Sequence, residues 1–190
     1  MKKSLGVREL AFPAPAFVIG TYDDRGEPNG ITLAWCGIVS SGPAAIGISV
    51  RPGRYSYKSL LERRAFTVNF APEKRLAETD YFGIVSGRDV NKFEKTGLTA
   101  VRGDFVDAPY IKEFPVNIEC EVTHTLDLGA HTLFIGEVRD VKADESALDA
   151  SGRIDIHAAG ILTFDVTSGS YLLPGPAAGR AFSAGAKFKE

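Results

Sequence analysis

Residues 29–56 read NGITLAWCGIVSSGPAAIGISVRPGRYS, and the rest of the chain takes its meaning from this stretch. Two apolar runs flank Ser40-Ser41-Gly42-Pro43, a turn signal, so the stretch reads as a β-hairpin with strands near residues 30–39 and 45–51. Their crowding with Ile, Val, Leu and Trp implies that both strands bury at least one face. The second run delivers Arg51, followed within five residues by Arg54, Tyr55 and Ser56. Residues 56–64 then place Tyr57, Leu60 and Leu61 at helical spacing, with Ser56 as N-cap. A cation beside a helix N-terminus suits an anion, because free backbone N–H groups and the helix dipole both favour negative charge there. The residues alone leave two readings open: a phosphate site, or a solvated arginine at a strand end beside an ordinary cap.

Working outward, residues 16–23 alternate as a strand and stop at Asp23-Asp24-Arg25-Gly26, which is turn chemistry. AFTVNF at 65–70 is a compact β run, and residues 73–85, rich in Ala, Leu and Glu, read as a helix. Ser86-Gly87-Arg88 breaks that pattern, which restarts with Asp89 as expected N-cap and Gly97 as the stop. The longest alternation spans 116–128 and 131–141 around Gly129-Ala130, a long antiparallel pair. ILTFDV and SYLL supply two short strands before a tail rich in Gly and Ala. Many antiparallel strands with helices inserted as short units predict a mainly β fold, a β-barrel with inserted short helices, in a single domain over 1–190. The G-x-G-x-x-G fingerprint of doubly wound nucleotide-binding folds is missing from the sequence.

Composition narrows the function classes. A chain of 190 residues with 44% hydrophobic residues and a formal charge of −2 lacks the basic field that dominates nucleic-acid affinity. No apolar run approaches the ~20 residues of a spanning helix, and Arg8 and Glu9 interrupt any signal-peptide core, so the expectation is a cytoplasmic protein away from membranes. Cys36 and Cys120 stand far apart, and His124, His131 and His157 show no ligand spacing, so neither a disulfide framework nor a metal site is expected.

Three constellations remain. Arg51 with Arg54, Tyr55 and Ser56 is the first, and Ser86-Gly87-Arg88 through Lys92 repeats its chemistry: close backbone approach, a hydroxyl and a point charge. In the third, Asn29 and Thr32 interleave with Ala34 and Trp35, offering a flat ring an apolar wall, small neighbours and polar edge contacts. On its residues alone Trp35 reads equally as a core filler. Cys36 and Cys120 read as inert thiols, and His131 reads either as a ligand-facing residue or as a solvated turn histidine. No set of side chains completes a catalytic machine, which points to a bound cofactor.

The motifs NGITLAWCGIVSS, ISVRPGRYSYKSL, FTVNF, YFGIVSGRDVNKFEKTGL, FPVNIECEV, LGAHTLFIGEV and GRAFSAGAKF resemble the flavoredoxin family of flavin reductase-like proteins from about Ala16 to Lys187. The resemblance implies an FMN-binding split β-barrel, usually a homodimer with the flavin near the subunit interface. By motif, Asn29, Thr32, Ala34 and Trp35 line the isoalloxazine and ribityl chain, and Ser49, Val50 and Arg51 continue the site. Tyr55, Ser56, Ser86, Gly87 and Lys92 surround the phosphate, and His131 stands near the ring. Cys36 departs from the aromatic or small residue of many relatives. The implied activity is electron transfer through bound FMN, fed by a redox partner protein or NAD(P)H, with no catalytic side chain. The alternatives are an NAD(P)H-dependent flavin reductase and a non-redox barrel holding another phosphorylated ligand or a protein partner.

Overall fold

A two-residue link decides the architecture. In the computed structural model, which describes residues 1–188, the strands β1 (Ala14–Pro15), β2 (Phe17–Tyr22), β3 (Pro28–Leu33), β4 (Cys36–Ser41) and β5 (Ala44–Val50) come first. Helix α1 (Ser56–Arg63), β6 (Ala65–Phe70), α2 (Leu76–Ile84), α3 (Lys92–Thr96), β7 (Ala100–Arg102) and β8 (Pro109–Ile111) follow. The long β9 (Val116–Asp127) and β10 (Thr132–Ala143), then β11 (Thr163–Asp165) and β12 (Ser170–Leu172), complete the strands.

Seven strands form one antiparallel sheet in the order β3-β2-β6-β9-β10-β5-β4. Its two edges, β3 and β4, are joined only by Ala34-Trp35. A link that short spans at most roughly 11 Å, so the sheet must curl until its edges meet. The result is the expected mainly β barrel with short inserted helices. The run expected as one strand over 30–39 is therefore two, and the hairpin is β4–β5. Periodicity shows which face a residue takes but not which neighbour its backbone pairs with, so the switch of sheet edge is invisible in the pattern. The expectation of burial fails for β4 as well: Ile38 is 85% exposed and Val39 48%.

Alternation along β2 serves two cores, because successive side chains point to opposite faces. Ile19 joins Ile48, Val50, Phe66, Val68 and Phe134 inside the barrel, where Leu60 of α1 plugs one end. Val18 joins Phe82 of α2, Phe93 of α3, Phe114 and Leu162 on the other side. Small outer sheets, β1-β11-β12 and β7-β8, flank this second core.

Two caps differ from expectation. Tyr55, not Ser56, precedes the first turn of α1, and Ser56 is buried with its Oγ accepting from Asn29 Nδ2 at 2.8 Å. Asn91, not Asp89, caps α3 by accepting from the Glu94 backbone N–H at 3.2 Å, while Gly97 at φ +67° ends it as expected. A side chain at N-cap reaches the N–H three residues on, and Asn91 has that spacing to the helix start.

One buried ionic knot holds the far side. Glu119 is fully buried and accepts from the backbone N–H groups of Asp104 (3.2 Å), Phe105 (2.8 Å) and Val106 (3.2 Å) and from Lys142 Nζ (2.7 Å). Lys142 also pairs with Asp140 and Asp104. No described helix is long and apolar enough to cross a membrane.

Candidate functional site

Where the barrel edges meet, the wall of β3 and the Ala34-Trp35 link faces α2 and the β11–β12 hairpin across a cleft of about 500 Å³. Thr32, Ala34, Trp35, Ser49, Arg51 and His131 of the predicted set line it. A narrower recess of about 200 Å³ shares Arg54, Gly83 and Ile84 with the cleft and is lined by Asn29, Tyr55, Ser56, Ser86, Gly87 and Lys92. Val50 stands apart: its side chain is fully buried in the barrel core, so it meets neither space.

Each lining group is placed by a local cause. Thr32 donates to the Thr79 carbonyl at 2.5 Å, tying β3 to α2. The Ser49 N–H donates to the Trp35 carbonyl at 2.8 Å and fixes the link against β5. Trp35 lies parallel to His131, 8° between planes and 6.4 Å between centroids, and His131 Nε2 accepts from Arg51 Nε at 3.4 Å. The turn after β5 closes with Arg54 N–H donating to the Arg51 carbonyl at 3.0 Å, and the two side chains part there: Arg51 reaches His131 in the cleft, and Arg54 borders both spaces. Tyr55 is oriented by donating to Asp23 Oδ2 at 2.9 Å. Gly87 lets the loop lie close, since a Cβ there would come within 2.4 Å of Asn29 Oδ1 and 2.7 Å of Tyr55 Cδ1 and force one of them to shift. Ser86 Oγ accepts from the Arg88 N–H at 3.2 Å, which shapes the loop over the recess.

Lys92 differs from the free point charge expected of it. It is buried, and its Nζ donates to the carbonyls of Gly30 and Phe82, each at 2.8 Å. Burial first, then the nearby Arg54 guanidinium, pushes its pKa down to about 8. The ammonium thus bolts β3 to the end of α2 and faces the recess from beneath.

Charge sorts the two spaces. Arg54, Arg88 and Lys92 line the recess and no carboxylate does, while the first turn of α1 carries no acidic residue. That donor set suits a dianionic phosphate. The cleft is flatter and more apolar, with Asp80 as its carboxylate. Together the spaces fall within the ~300–1,000 Å³ usual for cofactors. A group with a planar ring and a phosphate tail therefore fits the residues present. Cys36 is inert chemistry at the margin: burial pushes its thiol up to about 12, and its Sγ lies 3.5 Å from the Leu33 carbonyl. Among the described residues no cluster of three or more His, Cys, Asp or Glu is placed to hold a metal ion.

The sequence groups Arg54 with Arg51 and Arg88 with Ser86, Gly87 and Lys92 without assigning either arginine a ligand contact, and it carries no sign of Asp80, Ile84, Phe164 or Tyr171 as lining groups. Asp80 and Ile84 sat inside an ordinary helical pattern. Arg88 stood within a loop already marked as polar and basic, which was a usable signal.

Residues 8–162 match the model of the flavin reductase like domain. Among solved structures, flavoredoxin of Desulfovibrio vulgaris (Miyazaki F) is 45% identical, with a TM-score of 0.93 over 97% of this chain and 100% of that one. Flavoredoxin from Methanosarcina acetivorans is 28% identical, with a TM-score of 0.88 over 98% of this chain and 100% of that one. An uncharacterized protein of Archaeoglobus fulgidus is 32% identical over 149 residues, 78% of this chain and 82% of its own.

Proposed function

Since the chain belongs to the family of flavin reductase-like domains, we propose that it is an FMN-binding flavoprotein that transfers electrons through the bound cofactor, as a single-domain carrier resembling flavoredoxin. The observation that carries this reading is the carboxylate-free recess of Arg54, Arg88 and Lys92 opening into a cleft walled by Thr32, Ala34 and Trp35. In this reading the recess takes the phosphate and the cleft takes the ring, with Ser49 and Arg51 at its edge and His131 beside Trp35. Bound FMN supplies reversible one- and two-electron chemistry that side chains lack. The chain's own part is to bind, orient and shield. The Thr32 and Ser49 bonds keep the β3–link–β5 wall in place, and the Arg51 guanidinium favours negative charge near its end of the ring.

The test is direct. Purified protein should carry, or take up, FMN with a visible flavin absorbance, and riboflavin should bind more weakly. Colourless protein with no FMN-dependent thermal shift rejects the proposal. A second reading, an NAD(P)H-dependent flavin reductase, draws support from the family and from the width of the cleft between the Trp35 wall and Phe164 and Tyr171. Anaerobic mixing with NADH and NADPH separates the two, because a reductase bleaches within turnover times and a carrier does not.

A homodimer belongs to the same proposal. The β4 edge strand presents Ile38 and Val39 beside Trp35, all largely exposed, and an apolar sheet edge calls for a covering surface. Ile38→Asp should turn a dimer into a monomer in sedimentation while the unfolding free energy of the monomer changes by no more than about 0.5 kcal/mol. A wild-type chain that sediments as a monomer ends the idea.

A further inference from the structure

The wall facing the proposed ring site carries a carboxylate that the protein itself does not neutralise. Asp80 projects from α2 into the cleft, half-buried, and its Oδ1 accepts from the Tyr171 hydroxyl at 3.2 Å. Among the described residues it forms no ion pair, and its Oδ2 takes no hydrogen bond. The contrast with Glu119, saturated by four donors, is sharp. A carboxylate placed in a ligand cleft with one oxygen held and the other free is set to accept from what enters.

Tyr171 is fixed independently of any ligand. It is the cross-strand partner of Phe164, with ring centroids 5.5 Å apart, on the β11–β12 hairpin. Burial first, and then the Asp80 charge, pushes its phenol up to about 12, so it stays a hydrogen-bond donor at neutral pH. Phe164 and Tyr171 lie beyond residue 162, where the family match ends, so this half of the subsite comes from a part of the chain outside that match.

We infer that Asp80, positioned by Tyr171, is the recognition element for the second substrate of the cleft, selecting a planar compound whose edge carries an N–H donor and rejecting one whose edge carries a carboxylate. This rests on the proposal that the opposite wall holds the flavin ring, and it adds what the remaining space accepts. A donor meeting Asp80 makes a charge-assisted hydrogen bond, whereas a carboxylate placed there meets like charge and is drawn instead toward Arg51 and Arg54, which line the same cleft.

Benzamide and benzoate share the ring and differ at that edge, the amide being neutral with N–H donors and the carboxylate anionic with acceptors only, and they serve as probes. FMN uptake is measured first, by visible absorbance. The two probes are then titrated into the FMN-loaded protein, with the flavin absorbance band as readout, for wild type, Asp80→Asn and Tyr171→Phe. The preference for amide over acid should fall about ten-fold in Asp80→Asn, the size of one charged hydrogen bond. In Tyr171→Phe, which frees the carboxylate and takes one hydroxyl from the cleft lining, it should fall about three-fold. Unfolding midpoints check that both variants keep the fold, and Asn retains the acceptor for Tyr171. An unchanged preference in Asp80→Asn overturns the inference. If wild type takes up no FMN, the flavin reading fails on its own, and the same titrations read by emission of Trp35, the single tryptophan, decide for or against Asp80 by the same ratio.

Discussion

Two charged regions of this protein look alike in composition and behave as opposites. At the far side of the barrel, Glu119 and Lys142 are surrounded by donors and acceptors from the same chain, down to three backbone N–H groups on one carboxylate. At the seam, Arg54 and Arg88 border a recess without a carboxylate, and Asp80 stands with an oxygen free. Charge that is satisfied from within is part of the fold, because removing one partner strands the others in a low dielectric. Charge that the chain leaves without a counter-charge is available to a ligand. The same reasoning separates Lys92 from its neighbours, since its two carbonyl partners make it half structural.

The largest effect belongs to the first region. Glu119→Ala should cost about 3–5 kcal/mol of stability in denaturant unfolding, because three backbone N–H groups lose their acceptor together and Lys142 keeps only Asp104 and Asp140. A loss below about 1 kcal/mol would mean that the knot is solvated and the contrast false. At the seam the sign of the effect changes from folding to binding. Arg54→Ala should leave the unfolding midpoint nearly unchanged yet weaken FMN by about 1.5–3 kcal/mol in calorimetry, with a much smaller loss for riboflavin. Arg51→Ala, which lines the cleft and not the recess, should affect the two ligands alike. Reversed behaviour of the two arginines would relocate the phosphate.

Gly87→Ala tests how tightly the recess is built. A methyl group placed 2.4 Å from Asn29 Oδ1 forces the loop or Asn29 to move, at a cost of about 1–3 kcal/mol in stability. The last effect is a slope. The folded state lowers Lys92 from 10.5 to about 8, so between those pH values the unfolded chain binds more protons than the folded one. Stability should therefore rise with pH across that window, the burial penalty being present in full below pH 8. Lys92→Met should flatten the rise, and bound FMN should diminish it, since a phosphate nearby favours the charged lysine. An identical slope in the variant would assign it to another group.

Much of this was legible in the chain, and the failures share a cause. AFTVNF became β6 residue for residue, and the alternation after Val116 became the β9–β10 pair, because period-two patterns with a buried face fix strands. Thr32, Trp35 and Arg51 line the cleft and Asn29 the recess beside it, although the hairpin expected over 30–51 is not what brings them together. What stayed hidden depended on partners distant in sequence. The change of sheet edge at Ala34 depends on β2 and β5, and the burial of Ser56 depends on Asn29, 27 residues away. The cleft wall of Asp80 and Tyr171, 91 residues apart, exists only after the outer hairpin docks. Short strands such as β7 and β8 leave no periodicity to read.

The Ala34-Trp35 link has a consequence for measurement. It is the place where the barrel is laced shut, and the Ser49 amide proton donated to the Trp35 carbonyl is one of its stitches. Exchange of that single proton with deuterium counts how often the lacing loosens. A molecule lying against Trp35 should slow that exchange more than exchange at the far end of β9, so one amide in the spectrum would record occupancy and barrel closure at once.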